Sequence, residues 1–328
     1  MTLLVASSGP NNTGRALLLG RRATGAVIAA LLVASCGTGS GTESDGADES
    51  ATPDTSASAS EKPSESSSST KTGPPYTGYP DSMAVIAHSA ATGEGTVPPT
   101  SADTKENSWA TGTNPEVNSI YQRILAENPD IEGKALNLAV GGATMADMVG
   151  QAQGLSSAET APDLILIQTI DNDIACPATA QDYQGFGEDL STVLDTLEET
   201  APTARVFIVT QFGSPETYAA AMTRDQRIGN GQLMGSPAPC AFLDADGTIV
   251  AKELRRLEGI ITTYEAELGK VCDEYEMCTW DQSALSQAVE KPQDINAQDL
   301  AHFSIPGHAH VAEVVWAALK EQGLIPAR

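Results

Sequence analysis

Near the end of the chain an Asp and a His stand three residues apart, in Asp299-Leu300-Ala301-His302. A carboxylate within reach of an imidazole fixes its tautomer and steadies its positive charge, which readies the ring to act as a base. Such a pair needs a nucleophile from elsewhere. Ser89 is the candidate. It ends the apolar run Met83-Ala84-Val85-Ile86-Ala87-His88-Ser89, where a buried strand would hand over to a loop. A hydroxyl attacks a carbonyl once a base takes its proton, so an early Ser and a late Asp–His pair can build acyl-transfer chemistry. Taken singly, each residue has a plainer reading: a turn for Ser89, a surface pair or helix start for Asp299 and His302.

The attacked carbonyl becomes an oxyanion, which needs donors aimed at it. Two further segments supply them. Gly141-Gly142-Ala143-Thr144 follows one apolar run and Asp171-Asn172-Asp173 follows another. The backbone N–H groups of Ser89 and Gly142 and the side-chain amide of Asn172 are the candidate oxyanion hole. Glycine lets the backbone come close, and Asn donates without bringing a charge.

The elements that must position these residues alternate. Strands are expected at 83–88, 134–140, 163–170, 204–210 and, weakly, 277–280, as short and nearly continuous apolar runs of the kind covered on both faces. Asn114-Pro115 reads as N-cap and first residue of a helix reaching about residue 127. Other helical patterns cover about 145–153, 184–199, 247–274 and 306–322. The alternation predicts an α/β fold, a three-layer α/β/α sandwich around a mostly parallel five-stranded sheet. In such sheets the site forms at the carboxyl ends of the strands, where all four polar segments fall.

Together the segments IAHSAATG, NLAVGGAT, IQTIDND and DLAHFSIPGHAHVAEVVWAAL resemble the four ordered blocks of the SGNH/GDSL hydrolase superfamily. The stretch NSWATGTNPEVNSIYQRIL further resembles exported actinobacterial members. The resemblance covers roughly residues 82–328 and implies a flavodoxin-like hydrolase fold. It assigns Ser89 as nucleophile, Asp299 and His302 as the rest of a triad, and Gly142 and Asn172 as oxyanion donors with Ser89. Two departures stand out. The Gly-Asp that precedes the serine in the family is Ala87-His88 here. The Gly of the third block is the β-branched Ile170, which is expected to shift the Asn172 loop and narrow the pocket.

The ends of the chain read differently. Residues 1–35 carry Arg15, Arg21 and Arg22 and then a short apolar run, the pattern of a secretory signal. LVASC resembles a bacterial lipobox, which implies a lipid on Cys36. Residues 36–80 are rich in Ser, Thr, Gly and acids and too poor in apolar residues to fold, so they read as a tether. The catalytic domain is then 81–328. Removing residues 1–35 takes three of the 18 basic residues and none of the 43 acidic ones. So acidic a chain is not expected to bind nucleic acid, whose phosphates need the opposite charge.

Beyond Cys36, four cysteines remain, an even number in an exported chain. Cys272 with Cys278 would close a small loop, leaving Cys176 with Cys240. Three connectivities are open from sequence alone. His302, His308 and His310 lie close together, but the last two are two apart and would leave a helix in different directions, so no metal is expected. Trp109 reads equally as a pocket wall or as core. His88 reads as lining the pocket or as satisfying backbone groups.

The reading is a monomeric, membrane-tethered serine esterase on the outer face of the cell, needing no cofactor. It would cleave short-chain acyl esters of lipids, glycans or small molecules through an acyl-enzyme on Ser89. Two alternatives remain: an acyltransferase using the same site, and a lipoprotein that binds a ligand or glycan without turnover.

Overall fold

The computed structural model describes residues 76, 78–97, 102–159, 161–233, 235 and 238–327. The expected signal, the lipid site at Cys36 and most of the tether lie outside the described residues. Residues 78–80, assigned above to the tether, rest against the domain. Tyr79 stacks on Trp316 with ring centroids 6.0 Å apart, and Arg205 donates to the Gly78 carbonyl at 2.9 Å.

Five strands form one sheet: β1 (Met83–Ala87), β2 (Ala135–Asn137), β3 (Leu164–Gln168), β4 (Arg205–Val209) and β5 (Cys278–Trp280). Their order is β2-β1-β3-β4-β5 and every neighbouring pair is parallel. Met83 pairs with Leu164 and Ala87 with Gln168, so β1 and β3 end level with each other. This strand order reverses direction between β1 and β3, which opens a crevice at their carboxyl ends. Ser89 follows one of those strands and Asn172 the other.

The apolar runs are buried on both faces because helices cover both. Ala84, Ile86, Ile165, Ile167, Val206 and Ile208 face α2 (Met145–Gly154), α3 (Ala180–Thr200) and α6 (Ala251–Cys272). The alternate residues Met83, Val85, Leu164, Leu166, Phe207 and Val209 face α1 (Ile120–Glu127) and α7 (Ile305–Glu321). The period of two along each strand divides them into two cores.

Several boundaries differ from expectation. Asn114 does not cap α1. Its side chain accepts from Glu116 N at 2.9 Å and its carbonyl from Val117 N at 3.1 Å, which closes a turn. Asn118 then takes a positive φ of 49°, which no helix continues through, and the helix starts after Ser119. There Ser119 and Gln122 exchange side-chain and backbone hydrogen bonds as a capping box. β2 is shorter than its apolar pattern, although Leu138 N and Val140 N continue the ladder to Val85 O and Ala87 O. α6 starts only at Ala251, because Asp244 Oδ1 accepts from Asp246 N and Thr248 N and so holds a turn. Two helices were not expected, α4 (Pro215–Ala221) and α5 (Arg224–Leu233).

Disulfides join Cys176 to Cys240 and Cys272 to Cys278, the pairing favoured above. The first ties the segment after the Asn172 loop to the approach of α6, 64 residues away. The second clips the end of α6 to β5.

Candidate active site

The turn that carries Ser89 is fixed from both sides. Ahead of it, the Gln151 side chain on α2 bonds both backbone groups of Ala87, accepting from its N–H at 2.8 Å and donating to its carbonyl at 3.0 Å. Behind it, Thr92 donates to the Ser89 carbonyl from its backbone at 3.1 Å and from its hydroxyl at 3.0 Å. A short 3-10 turn over Ser89–Ala91 results. Asn137, at the end of β2, adds a third tie by donating to the Ala91 carbonyl at 2.9 Å. Ser89 is buried, and its hydroxyl has no hydrogen-bond partner among the described residues.

His88 does not line an open pocket. It is buried, and Ala90 N donates to its Nδ1 at 3.2 Å. That bond leaves the ring proton on Nε2, which faces Asp171 Oδ2 at 3.1 Å. Trp109 is core as well: it is fully buried and donates from Nε1 to Gln168 Oε1 at 2.9 Å.

The two segments expected to supply oxyanion donors are clamped to each other. Gly142 has φ +78°, a conformation that favours glycine, and nothing lies within 4 Å of where a Cβ would stand. Asn172 Nδ2 donates to the Ala143 carbonyl at 2.9 Å. An amide nitrogen carries two hydrogens, so one remains for another acceptor. Asp173 Oδ1 accepts from Met145 N at 2.8 Å, and Oδ2 accepts from the Thr169 hydroxyl at 3.2 Å. Burial pushes the Asp173 carboxyl up to about 6 in spite of those bonds. Ile170 has φ +87° and is fully buried. Its side chain joins the core between the sheet and α2 and α3. The Ile170 side chain therefore points into the core and not into the pocket.

Asp299 and His302 do not sit on a helix. A bridge between Ile295 and Phe303 closes a loop around them, and Asn296 N donates to the His302 carbonyl at 2.9 Å. Asp299 Oδ1 accepts from Ala301 N at 2.9 Å and from His302 N at 3.1 Å, while Oδ2 lies 3.1 Å from His302 Nδ1. Burial pushes the Asp299 carboxyl up, but the His302 ring and these backbone N–H groups outweigh it and hold the group below the usual range. The unexpected helices support this loop. Tyr218 on α4 donates its hydroxyl to the Leu300 carbonyl, and Asn230 on α5 donates to the Tyr218 oxygen at 3.1 Å.

The serine loop and the histidine loop meet at Gly95. A Cβ there would come within 2.8 Å of His302 Cβ and 3.0 Å of Asp299 Oδ2. His302 Nε2 faces Glu94 Oε2 at 3.6 Å. Sequence reasoning missed Glu94, Gln151 and Asp173. Glu94 was visible as a charge between two glycines, and Asp173 as a carboxylate next to the expected donor Asn172. Gln151 had no signal, since helix spacing alone does not say which backbone group a side chain reaches. The other two histidines are used elsewhere. Burial pushes His308 down to about 3, and His310 Nδ1 lies 2.7 Å from Asp294 Oδ2.

Residues 81–315 match the family described as GDSL-like Lipase/Acylhydrolase. The chain belongs to that family. Membership places it among the SGNH-type hydrolases, enzymes of ester hydrolysis. Among curated proteins none matches its sequence significantly. Similar solved structures include the acetyl xylan esterase AlAXEase, at 15% identity and a TM-score of 0.42, covering 72% of this chain and 99% of that one. A phospholipase A1 from Streptomyces albidoflavus NA297 is 12% identical with a TM-score of 0.43, covering 72% of this chain and 98% of that one. A carbohydrate esterase family 2 enzyme from Corynascus thermopiles is 13% identical with a TM-score of 0.45, covering 76% of this chain and 68% of that one.

Proposed function

We propose that the protein is an exported serine esterase that cleaves carboxylic esters through an acyl-enzyme on Ser89. The observation that carries this reading is the Asp299–His302 pair, oriented at 3.1 Å and packed through Gly95 against the loop that begins at Ser89. His302 Nε2 takes the Ser89 proton as the hydroxyl oxygen attacks the ester carbon. Asp299 holds Nδ1–H and stabilises the imidazolium. The oxyanion is met by Ser89 N–H, Gly142 N–H and the second amide hydrogen of Asn172. His302 returns the proton to the leaving alkoxide, and water releases the acid by the same steps. The Ser89–His302 hydrogen bond forms on substrate binding, since such contacts are often loose in a free enzyme.

Open clefts of about 540 and 840 Å³ border Gly142 and Asn172, and neither is lined by Ser89 or His302. Short acyl esters of lipids, glycans or small molecules are the proposed substrates. The basic start, short apolar run and Cys36 support export and a lipid anchor, and no described helix is long and apolar enough to cross a membrane.

The test is fluorophosphonate labelling of the full chain and of Ser89→Ala, with hydrolysis of a short-chain nitrophenyl ester. Labelling and turnover that both vanish in the variant support the esterase. The unpartnered Ser89 hydroxyl favours one other reading, a protein that binds esters without cleaving them. Folded wild-type protein that neither labels nor turns over would establish it.

A further inference from the structure

We propose that Glu94 selects substrates by charge, favouring esters whose alcohol carries a positive group beside the ester oxygen. The inference rests on the esterase reading above. Glu94 Oε2 lies 3.6 Å from His302 Nε2. In that reading Nε2 hands its proton to the departing alkoxide, so a group beside Nε2 lies beside the leaving alcohol. The same oxygen would come within 3.0 Å of a Cβ placed on Gly141. The carboxylate therefore reaches from the base to the loop that carries Gly142, and the absence of a side chain at 141 leaves it the space.

The loop holds the backbone of Glu94 in place. Gly93 and Gly95, on either side, have φ of +72° and +82°. Glycine takes that conformation without steric cost. Glu94 N donates to Thr92 Oγ1 at 3.1 Å, and Thr96 Oγ1 donates to the Gly93 carbonyl at 2.6 Å. Asn107 Nδ2 donates to Thr96 Oγ1 at 2.9 Å, and Asn296 Nδ2 donates to the Gly95 carbonyl. Both shoulders of Glu94 are thus tied down.

Among the described residues no Lys or Arg pairs with Glu94; its ionisable neighbour is His302. The Glu94 side chain is 21% exposed, so solvent screens it only in part. A negative charge at this point, with no Lys or Arg beside it, attracts an ammonium on the leaving alcohol and repels a sulfonate, phosphate or carboxylate there. The chain's net charge of −25 adds to the repulsion of anions.

The test compares three butyrate esters on the full chain: butyrylcholine, its uncharged isostere with carbon in place of the ammonium nitrogen, and the butyrate of hydroxyethanesulfonate. kcat/KM is measured for wild type and Glu94→Gln at low and at moderate salt, with fluorophosphonate titration of Ser89 as the active-site count. The wild type is expected to prefer the cationic ester, and Glu94→Gln to lower the cation-to-anion ratio by about fivefold. Added salt should lower the wild-type ratio and change that of the variant less. The ratio is taken within one protein, so partial misfolding of the variant does not distort it. An unchanged ratio in a variant whose Ser89 still labels would overturn the role of Glu94 and leave the esterase standing. A wild type that neither labels nor hydrolyses any of the three would remove both.

Discussion

His88 Nε2 lies 3.1 Å from Asp171 Oδ2, with both side chains buried. The pair joins the residue before the proposed nucleophile to the residue before the proposed oxyanion donor Asn172. It explains how the chain departs from the family pattern at His88 and still keeps the turn. His88 bonds Ala90 N on one side and faces Asp171 on the other, so the two loops hold each other. Replacing either side chain loses this contact between two buried polar groups, at a cost of about 1 kcal/mol. His88→Gln and Asp171→Asn are each expected to lower unfolding free energy by about that amount, and the double variant by clearly less than the sum. Urea unfolding of the four proteins measures this. Additive losses would mean that the two residues are not coupled.

Asp299 should act on turnover rather than on binding. Its hydrogen-bond partners are His302, the Asn296 side chain and neighbouring backbone groups, so Asp299→Asn should keep KM within a few-fold while kcat falls by about 10⁴. Its carboxyl is held below the usual range, so its folded value lies below its unfolded one. The stability it contributes is therefore present above the unfolded value near 3.8 and is lost only as pH falls through the lower folded one. Asp299 stays ionised through the neutral and mildly acid range. Loss of kcat/KM in wild type at mildly acid pH should accordingly persist in shape when Asp299 is replaced, although at a far lower rate. A limb that disappears in Asp299→Asn would contradict the assignment.

Buried carboxyls set the opposite trend for the fold as a whole. Burial pushes Glu290 up to about 7, and Asp173 and Asp281 up to about 6. A carboxyl whose folded value is raised favours the folded state when protonated. Its contribution is complete below its unfolded value near 4 and is lost as pH rises through about 6 to 7. The melting temperature should fall between pH 5 and pH 8. Glu290→Gln keeps an acceptor for the Thr217 hydroxyl, which donates to Glu290 Oε2 at 3.1 Å. The variant should flatten the fall by about 3 kcal/mol, given the shift from 4.5 to about 7. Differential scanning fluorimetry across this range gives the curve, and equal slopes in the two proteins would refute the role of Glu290.

What could be read in the sequence was whatever local pattern decides. The runs at Met83–Ala87, Leu164–Gln168 and Arg205–Val209 are apolar at every buried position but Gln168, so both the strands and their burial on two faces were legible. The polar residues just after them marked the candidate site. Long-range side-chain bonds left no such trace. Gln151 reaches back 64 residues to Ala87, and Tyr218 reaches 82 residues forward to Leu300. The start of α1 was misplaced because Asn114-Pro115 satisfies a helix cap and a turn equally well, and Asn118 decides for the turn. α4 carries a Ser214-Pro215 start signal but is only seven residues long, and α5 is polar with two glycines, so neither showed a clear apolar face.

Ile170 holds a φ of +87° where the family pattern has glycine. A β-branched residue in that region carries strain of about 1–3 kcal/mol. Its burial supplies the compensation, since a buried Ile is worth about 1.5–3 kcal/mol and leaves a cavity when removed. Two substitutions separate the terms. Ile170→Ala loses the packing and keeps the strain. Ile170→Gly loses slightly more packing but relieves the strain. Glycine is ordinarily the less stable of the two by roughly 0.5–1 kcal/mol, through its larger loss of backbone entropy. At Ile170 the order should reverse, with Ile170→Gly more stable than Ile170→Ala by about 1 kcal/mol and both less stable than wild type. Chemical unfolding of the three proteins decides it. An alanine variant as stable as the glycine one would mean that the backbone at 170 is not held in the left-handed region.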